Sequence, residues 1–127
     1  LVLGVISVKG KAFLLRLTAK LPILKMLFAK IALIRFSRAL GTLLEGGLPL
    51  LSALAQARCV MRHPILEQVI LRSETKVAQG ASLSSCFQDH PEIPPLVPRM
   101  LSIAEKSGNL SFIMRQIAEI YEEELES

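Results

Sequence analysis

The sequence predicts an all-α protein, a compact six-helix antiparallel bundle, and three observations carry that expectation. Apolar residues recur at spacings of three, four and seven in every periodic segment, and none alternates over the length of a strand. Glycines and prolines fall between those segments, where helices stop and start. The connections are short, as antiparallel neighbours require.

The first long helix is expected from about Ile23 to Glu45. Leu33, Phe36, Leu40, Leu43 and Leu44 share one face, and Arg35 and Arg38 lie off it. Pro22 suits the first turn, where a missing N–H costs nothing. Gly46-Gly47 ends the helix, because glycine accepts the left-handed cap conformation. Pro49 opens a second helix to about Met61. Leu50, Leu51, Ala53, Leu54 and Ala57 make it apolar on most sides, which predicts a central position. Pro64 starts a third, to about Gln79. Leu66, Val69, Ile70, Ser73 and Val77 are its buried face; Glu67, Gln68, Arg72, Glu74 and Lys76 are its wet one. Gly80 ends it.

Ser82 is read as the N-cap of a short helix through about Gln88. Asp89–Pro95 is a loop, since prolines at that density block helix propagation. A fifth helix runs from about Pro95 to Lys106 and buries Leu96, Met100, Leu101 and Ala104. Ser107-Gly108-Asn109 is a tight connection. The last helix runs from Leu110 with a stripe of Ile113, Met114, Ile117, Ile120, Tyr121 and Leu125. The methionines, including Met26 and Met61, sit at core spacing and need no cofactor.

Charge divides unevenly. Residues 1–62 carry +9 and residues 63–127 carry −5, together the chain's +4. The apolar stretch Leu1–Val8 is followed by Lys9, Lys11, Arg16, Lys20, Lys25 and Lys30. That order is the reverse of a signal peptide and matches a membrane helix leaving on the cytoplasmic side. The alternative is a first helix with one apolar face. The chain begins at Leu1, not Met, and is read as part of something longer. No uncharged run exceeds 12 residues, as in Gly46–Ala57, short of the ~18 needed to cross a bilayer. A basic half also fits nucleic acid, the second reading. Yet aromatic residues make up 5% and Trp is absent, a poor stacking platform.

The sharpest chemical pattern is a doublet, Cys59-x-x-x-His63-Pro64 and Cys86-x-x-x-His90-Pro91. Two such pairs would supply four zinc ligands, although neither has a Cys-x-x-Cys knuckle. The competing reading makes both cysteines small buried hydrophobes. Gly80-Ala81-Ser82-Leu83-Ser84 lacks the second glycine and preceding strand of a nucleophile elbow. Glu122, Glu123, Glu124 and Glu126 form an acidic end, read as a solvated or partner-binding face. Acids there oppose the helix dipole, which is tolerable if the helix continues beyond Ser127. Glu105 is expected to bond Arg35 or Arg38, or the amides that start the following helix; simple exposure is the alternative.

The order of landmarks resembles the type II secretion system F domain. The similarity runs from Leu21-Pro22-Ile23-Leu24 through Arg35-Phe36-Ser37-Arg38-Ala39-Leu40-Gly41 and Gly47-Leu48-Pro49 to Gly80-Ala81-Ser82-Leu83-Ser84. It continues in Pro94-Pro95-Leu96-Val97-Pro98-Arg99-Met100, Glu105-Lys106-Ser107-Gly108-Asn109-Leu110 and Ile120–Glu126. Ala104 departs from the glycine common before that glutamate. The resemblance implies the second of two cytoplasmic helical domains in a bacterial inner-membrane platform. Residues 1–20 would then be a membrane exit and basic juxtamembrane segment, residues 21–127 the helical domain, with a further membrane helix after it. It also implies no catalytic residues or cofactors. The implied partners are the cytoplasmic secretion or pilus ATPase, other inner-membrane components, pilins or pseudopilins, and further copies of itself.

Overall fold

The computed structural model describes the backbone from Val2 to Ser127 and the side chains from Leu21 onward. The readings of Leu1–Val8 and of Lys9–Lys20 concern side chains outside that range. Six helices are present: α1 (Val2–Glu45), α2 (Leu50–Cys59), α3 (Pro64–Ala78), α4 (Leu83–Cys86), α5 (Leu96–Ser107) and α6 (Leu110–Glu126). Each packs on the next, and α6 returns to lie along α1 in the most extensive contact of the fold. The described residues contain no strand, so the protein is all-α.

Where helices stop is set by local chemistry. After α1 the Leu48 N–H donates to the Leu43 carbonyl and the Gly47 N–H to that of Leu44. This pair of bonds needs a left-handed residue, and Gly47 supplies it at φ +88. The same pair follows α3, from Ala81 and Gly80 to Lys76 and Val77. Pro49 precedes α2, and Pro95 precedes α5. Pro64 occupies the first turn of α3, whose N-cap is His63: its Nδ1 accepts from the Leu66 N–H at 3.2 Å.

The start of α1 differs from expectation. Pro22 lies inside the helix rather than at its first turn. A proline removes one backbone bond, and here the helix continues through it.

The core gathers one stripe from each helix. Phe36 and Leu40 of α1 meet Leu54, Leu66, Ile70, Phe87, Val97, Leu101, Met114 and Ile117, all buried. The Phe36 and Phe87 rings are tilted, with centroids 6.1 Å apart. α1 and α6 pack tightly at Gly41. A Cβ there would stand 2.7 Å from Arg115 Cγ and 3.0 Å from the Ser111 carbonyl oxygen. The Ser111 hydroxyl donates to the Gly41 carbonyl at 2.9 Å.

Several expectations about burial are corrected. α2 is not central: it buries only Ala53, Leu54 and Ala57, and Leu51 is exposed. In α5 the inward residues are Val97, Pro98, Leu101 and Ala104, while Leu96 faces out. Ile120 and Leu125 are exposed, and Ala118 takes the inward place beside Ile117 and Tyr121. Met61 and Met114 are core, Met100 is half-buried and Met26 is exposed. Helical spacing fixes which residues share a face, but not whether a neighbour covers it.

Candidate interaction surface

α1 and α6 run antiparallel. Lys30 pairs with Glu124, Arg38 with Glu122, and Glu45 with Arg115 at 2.7 Å, so one sequence descends as the other ascends. The Leu21–Lys30 stretch of α1 and the Tyr121–Glu126 end of α6 therefore meet at one pole. The Pro91–Pro95 loop completes that pole. Between these three segments lies a groove of about 540 Å³. Met26, Ala29, Ile93, Pro95 and Tyr121 contribute its apolar lining, and Lys25, Lys30, Glu92 and Glu124 its charges. Burial raises the affinity of the Tyr121 phenol for its proton, and the nearby Glu124 adds to this.

The acidic end of α6 is thus divided. Glu122 and Glu124 turn back to cations of α1. Glu123 and Glu126 are exposed, without a cationic partner among the described residues. Arg35 is likewise exposed, whereas Arg58 meets Glu74 at 2.7 Å across α2 and α3. That bond holds the Arg58 guanidinium above its ordinary range. Three cations of the basic half, Lys30, Arg38 and Arg58, therefore each face an acid.

Glu105 reaches neither arginine and does not cap α6. Its Oε1 accepts the Ser84 N–H at 2.8 Å and its Oε2 accepts the Ser84 hydroxyl at 3.1 Å. Ser82 Oγ accepts the Ser85 N–H at 3.4 Å. Two orphan donors at the start of α4 are satisfied this way, one by a carboxylate from α5. The Glu105→Gln variant keeps the shape but loses the charge. It should lower unfolding free energy by about 1 kcal/mol in a urea titration. An unchanged midpoint would remove the capping role.

The remaining motif residues are distributed through the frame. Phe36 and Leu83 are core; Met100, Pro94 and Leu110 are half-buried. Pro49, Pro95, Gly47, Gly80 and Gly108 border helices. The Ser107 hydroxyl donates to the Ile103 carbonyl at 3.0 Å. Sequence reasoning did not single out Gly41, Ser111 or the Lys30 pair, and it named Tyr121 only as part of the apolar stripe of α6. Gly41 had a signal: a residue without a side chain beside the apolar stripe of α1.

The cysteine–histidine doublet does not converge on a site. His63 caps α3, and His90 Nδ1 lies 3.0 Å from Glu92 Oε2. Cys59 Sγ donates to the Ala55 carbonyl and Cys86 Sγ to that of Ser82. Cys59 is exposed and Cys86 half-buried, so the buried-hydrophobe reading fails too. No group of three or more metal-binding side chains occurs among the described residues. Among the described residues no helix is long and apolar enough to cross a membrane.

Residues 36–127 match the family described as type II secretion system (T2SS), protein F. The chain is 31% identical over 119 residues to the type IV pilus assembly protein PilC of Thermus thermophilus, covering 93% of this chain and 29% of that protein. It is 33% identical over 105 residues to the type 4 fimbrial assembly protein PilC of Pseudomonas putida, covering 83% and 26%. It is 33% identical over 96 residues to the type II secretion system protein F of Xanthomonas campestris pv. campestris, covering 76% and 24%. The chain spans less than a third of the length of these relatives.

Proposed function

Because the chain belongs to the type II secretion system protein F family, we propose that it is a helical module of an inner-membrane assembly platform, held on the cytoplasmic side. It acts by contact and carries out no chemistry. Residues 1–20 form the membrane exit and basic juxtamembrane segment, and residues 21–127 the module. Its partners are the cytoplasmic assembly ATPase, other inner-membrane components, pilins or pseudopilins, and further copies of the platform.

The observation that carries this reading is the antiparallel pairing of α1 with α6. It brings the entering and leaving helices to one pole, where a membrane-anchored knob would be attached. The rest of the surface, including the exposed Glu123 and Glu126 of α6, stays open for cytosolic partners. Relatives from both pilus and secretion systems fit such a module.

Among the acids, Glu123 and Glu126 are the ones left for a partner. Reversing both to lysine in the full-length platform should reduce capture of its ATPase several-fold in a pull-down. The fold should survive, since neither acid pairs with α1. Capture at the wild-type level would exclude this surface. Reversing Glu122 and Glu124 is a different experiment, because it also puts like charges against Lys30 and Arg38.

A further inference from the structure

The second half of α3 and the Cys86–His90 segment at the end of α4 enclose a cleft of about 250 Å³. Arg72 and Lys76 line it from α3, and Gln88 and His90 from the opposite segment. Its other polar side chains are already used: the Ser73 hydroxyl donates to the Val69 carbonyl and the Cys86 thiol to that of Ser82. Arg72 and Lys76 stand four positions apart, so they share one face of the helix, and like charges at that spacing destabilise it. Neither has an acidic partner among the described residues. Glu74, between them in sequence, turns away to Arg58 at 2.7 Å.

No carboxylate lines the cleft. Asp89 lines the larger groove beside α5, together with Arg99, and Gln88 and His90 are the wall that the two hollows share. Glu92, 3.0 Å from His90 Nδ1, belongs to the groove at the α1/α6 pole. That carboxylate is out of line with the ring, so His90 Nδ1 is buried without a hydrogen bond. A buried ring nitrogen left unpaired is uncommon in a folded protein, and this one belongs to a wall of the cationic cleft. Two cations without a counter-charge in a walled hollow draw anions, because the walls screen them less than open water does.

We propose that this cleft binds a phosphoryl group, held by Arg72 and Lys76 on one side and by Gln88 and His90 on the other. The planar Arg72 guanidinium grips two oxygens at once, and the Lys76 ammonium adds a point charge. The Gln88 amide and the His90 ring donate from the facing wall. Two cations in one hollow match the roughly two negative charges of a phosphate monoester at neutral pH. A nucleic-acid backbone spreads its charge along a track and asks for a row of cations instead. The Cys86–His90 half of the cysteine–histidine doublet thereby serves as a wall of the cleft.

The test follows backbone amide shifts of the isotope-labelled 127-residue chain, at about 0.15 M salt to screen loose surface attraction. Inorganic phosphate, adenosine monophosphate and adenosine are titrated separately. Expected is saturable binding of both phosphates, with shifts centred on Arg72, Lys76, Gln88 and His90, and no such response to adenosine. Tighter binding of the monophosphate than of inorganic phosphate assigns the ester as the ligand, and equal binding assigns the free ion. The Arg72→Gln/Lys76→Gln variant should bind about tenfold more weakly, and Arg72→Lys about threefold, since it keeps the charge and loses the fork. Both variants should stay folded, because neither side chain has an ion-pair partner in the fold. Arg35→Gln removes an exposed cation of α1 and should change nothing. Shifts that rise without saturation, or as strongly at Arg35 and Arg99 as in the cleft, would overturn the inference. So would equal binding by the double variant, or a response to adenosine that matches the monophosphate. The ATPase pull-down uses other residues, so either proposal can fail while the other stands.

Discussion

Replacing Phe36 with alanine is expected to cost about 3–5 kcal/mol, a large share of the roughly 5–15 kcal/mol that holds a domain folded. Phe36 is fully buried on α1 and meets Phe87, on the turn just after α4. Its removal deletes buried area and leaves a cavity among side chains held from several helices, which cannot all collapse into it. The edge-tilted ring pair adds about 0.5–1.5 kcal/mol to the loss. Chemical denaturation of Phe36→Ala and Phe36→Leu measures both terms, with leucine keeping most of the volume. A cost for alanine near that of a surface substitution, within about 0.5 kcal/mol, would mean that Phe36 does not join α1 to the rest of the core.

Gly41→Val should be nearly as damaging, for the opposite reason. Alanine in place of a mid-helix glycine ordinarily stabilises by about 1 kcal/mol. At Gly41 a side chain meets the backbone of α6 at Ser111 and Arg115, and backbone cannot rotate away. Overpacking of this kind costs about 1–3 kcal/mol, and the branched valine lies at the upper end. It also separates the Ser111 hydroxyl from the Gly41 carbonyl. Each lost kcal/mol lowers Tm by roughly 4 °C in a domain of this size. Gly46→Ala is the control: its Cβ would have ordinary contacts at 3.5 Å and beyond. If both variants melt with the wild type, α1 and α6 are not held at close range by Gly41.

The six helices were legible because their ends are written in local chemistry. Gly47, Gly80, Ser82 and Gly108 act through bonds to residues two to five positions away, so the sequence displays both partners. Pro22 misled because its usual place is a first turn, while its actual effect is one missing bond in a continuing helix. Long-range relations were not legible. Nothing near Glu105 indicates that it reaches back to Ser84. Nothing in the run Glu122–Glu126 says that alternate acids turn to cations 84 and 94 positions upstream. α2 looked central because composition reports how much apolar surface exists, and only packing decides how much is covered. Leu51 and Val60 stay exposed for that reason. The same gap hid the exposed Leu21–Phe28 stretch of α1, where a core-like spacing runs past the edge of the bundle.

The antiparallel pairing of α1 and α6 also decides how the module responds to being pulled. Tension entering through one helix and leaving through the other acts at a single pole, across the pair and not along it. The contacts Lys30–Glu124, then Arg38–Glu122, then Gly41–Ser111 are then loaded one after another, as teeth of a zipper are. Such a pair gives way progressively at low force, starting from the Lys30–Glu124 end, while the α2–α5 side stays folded longest.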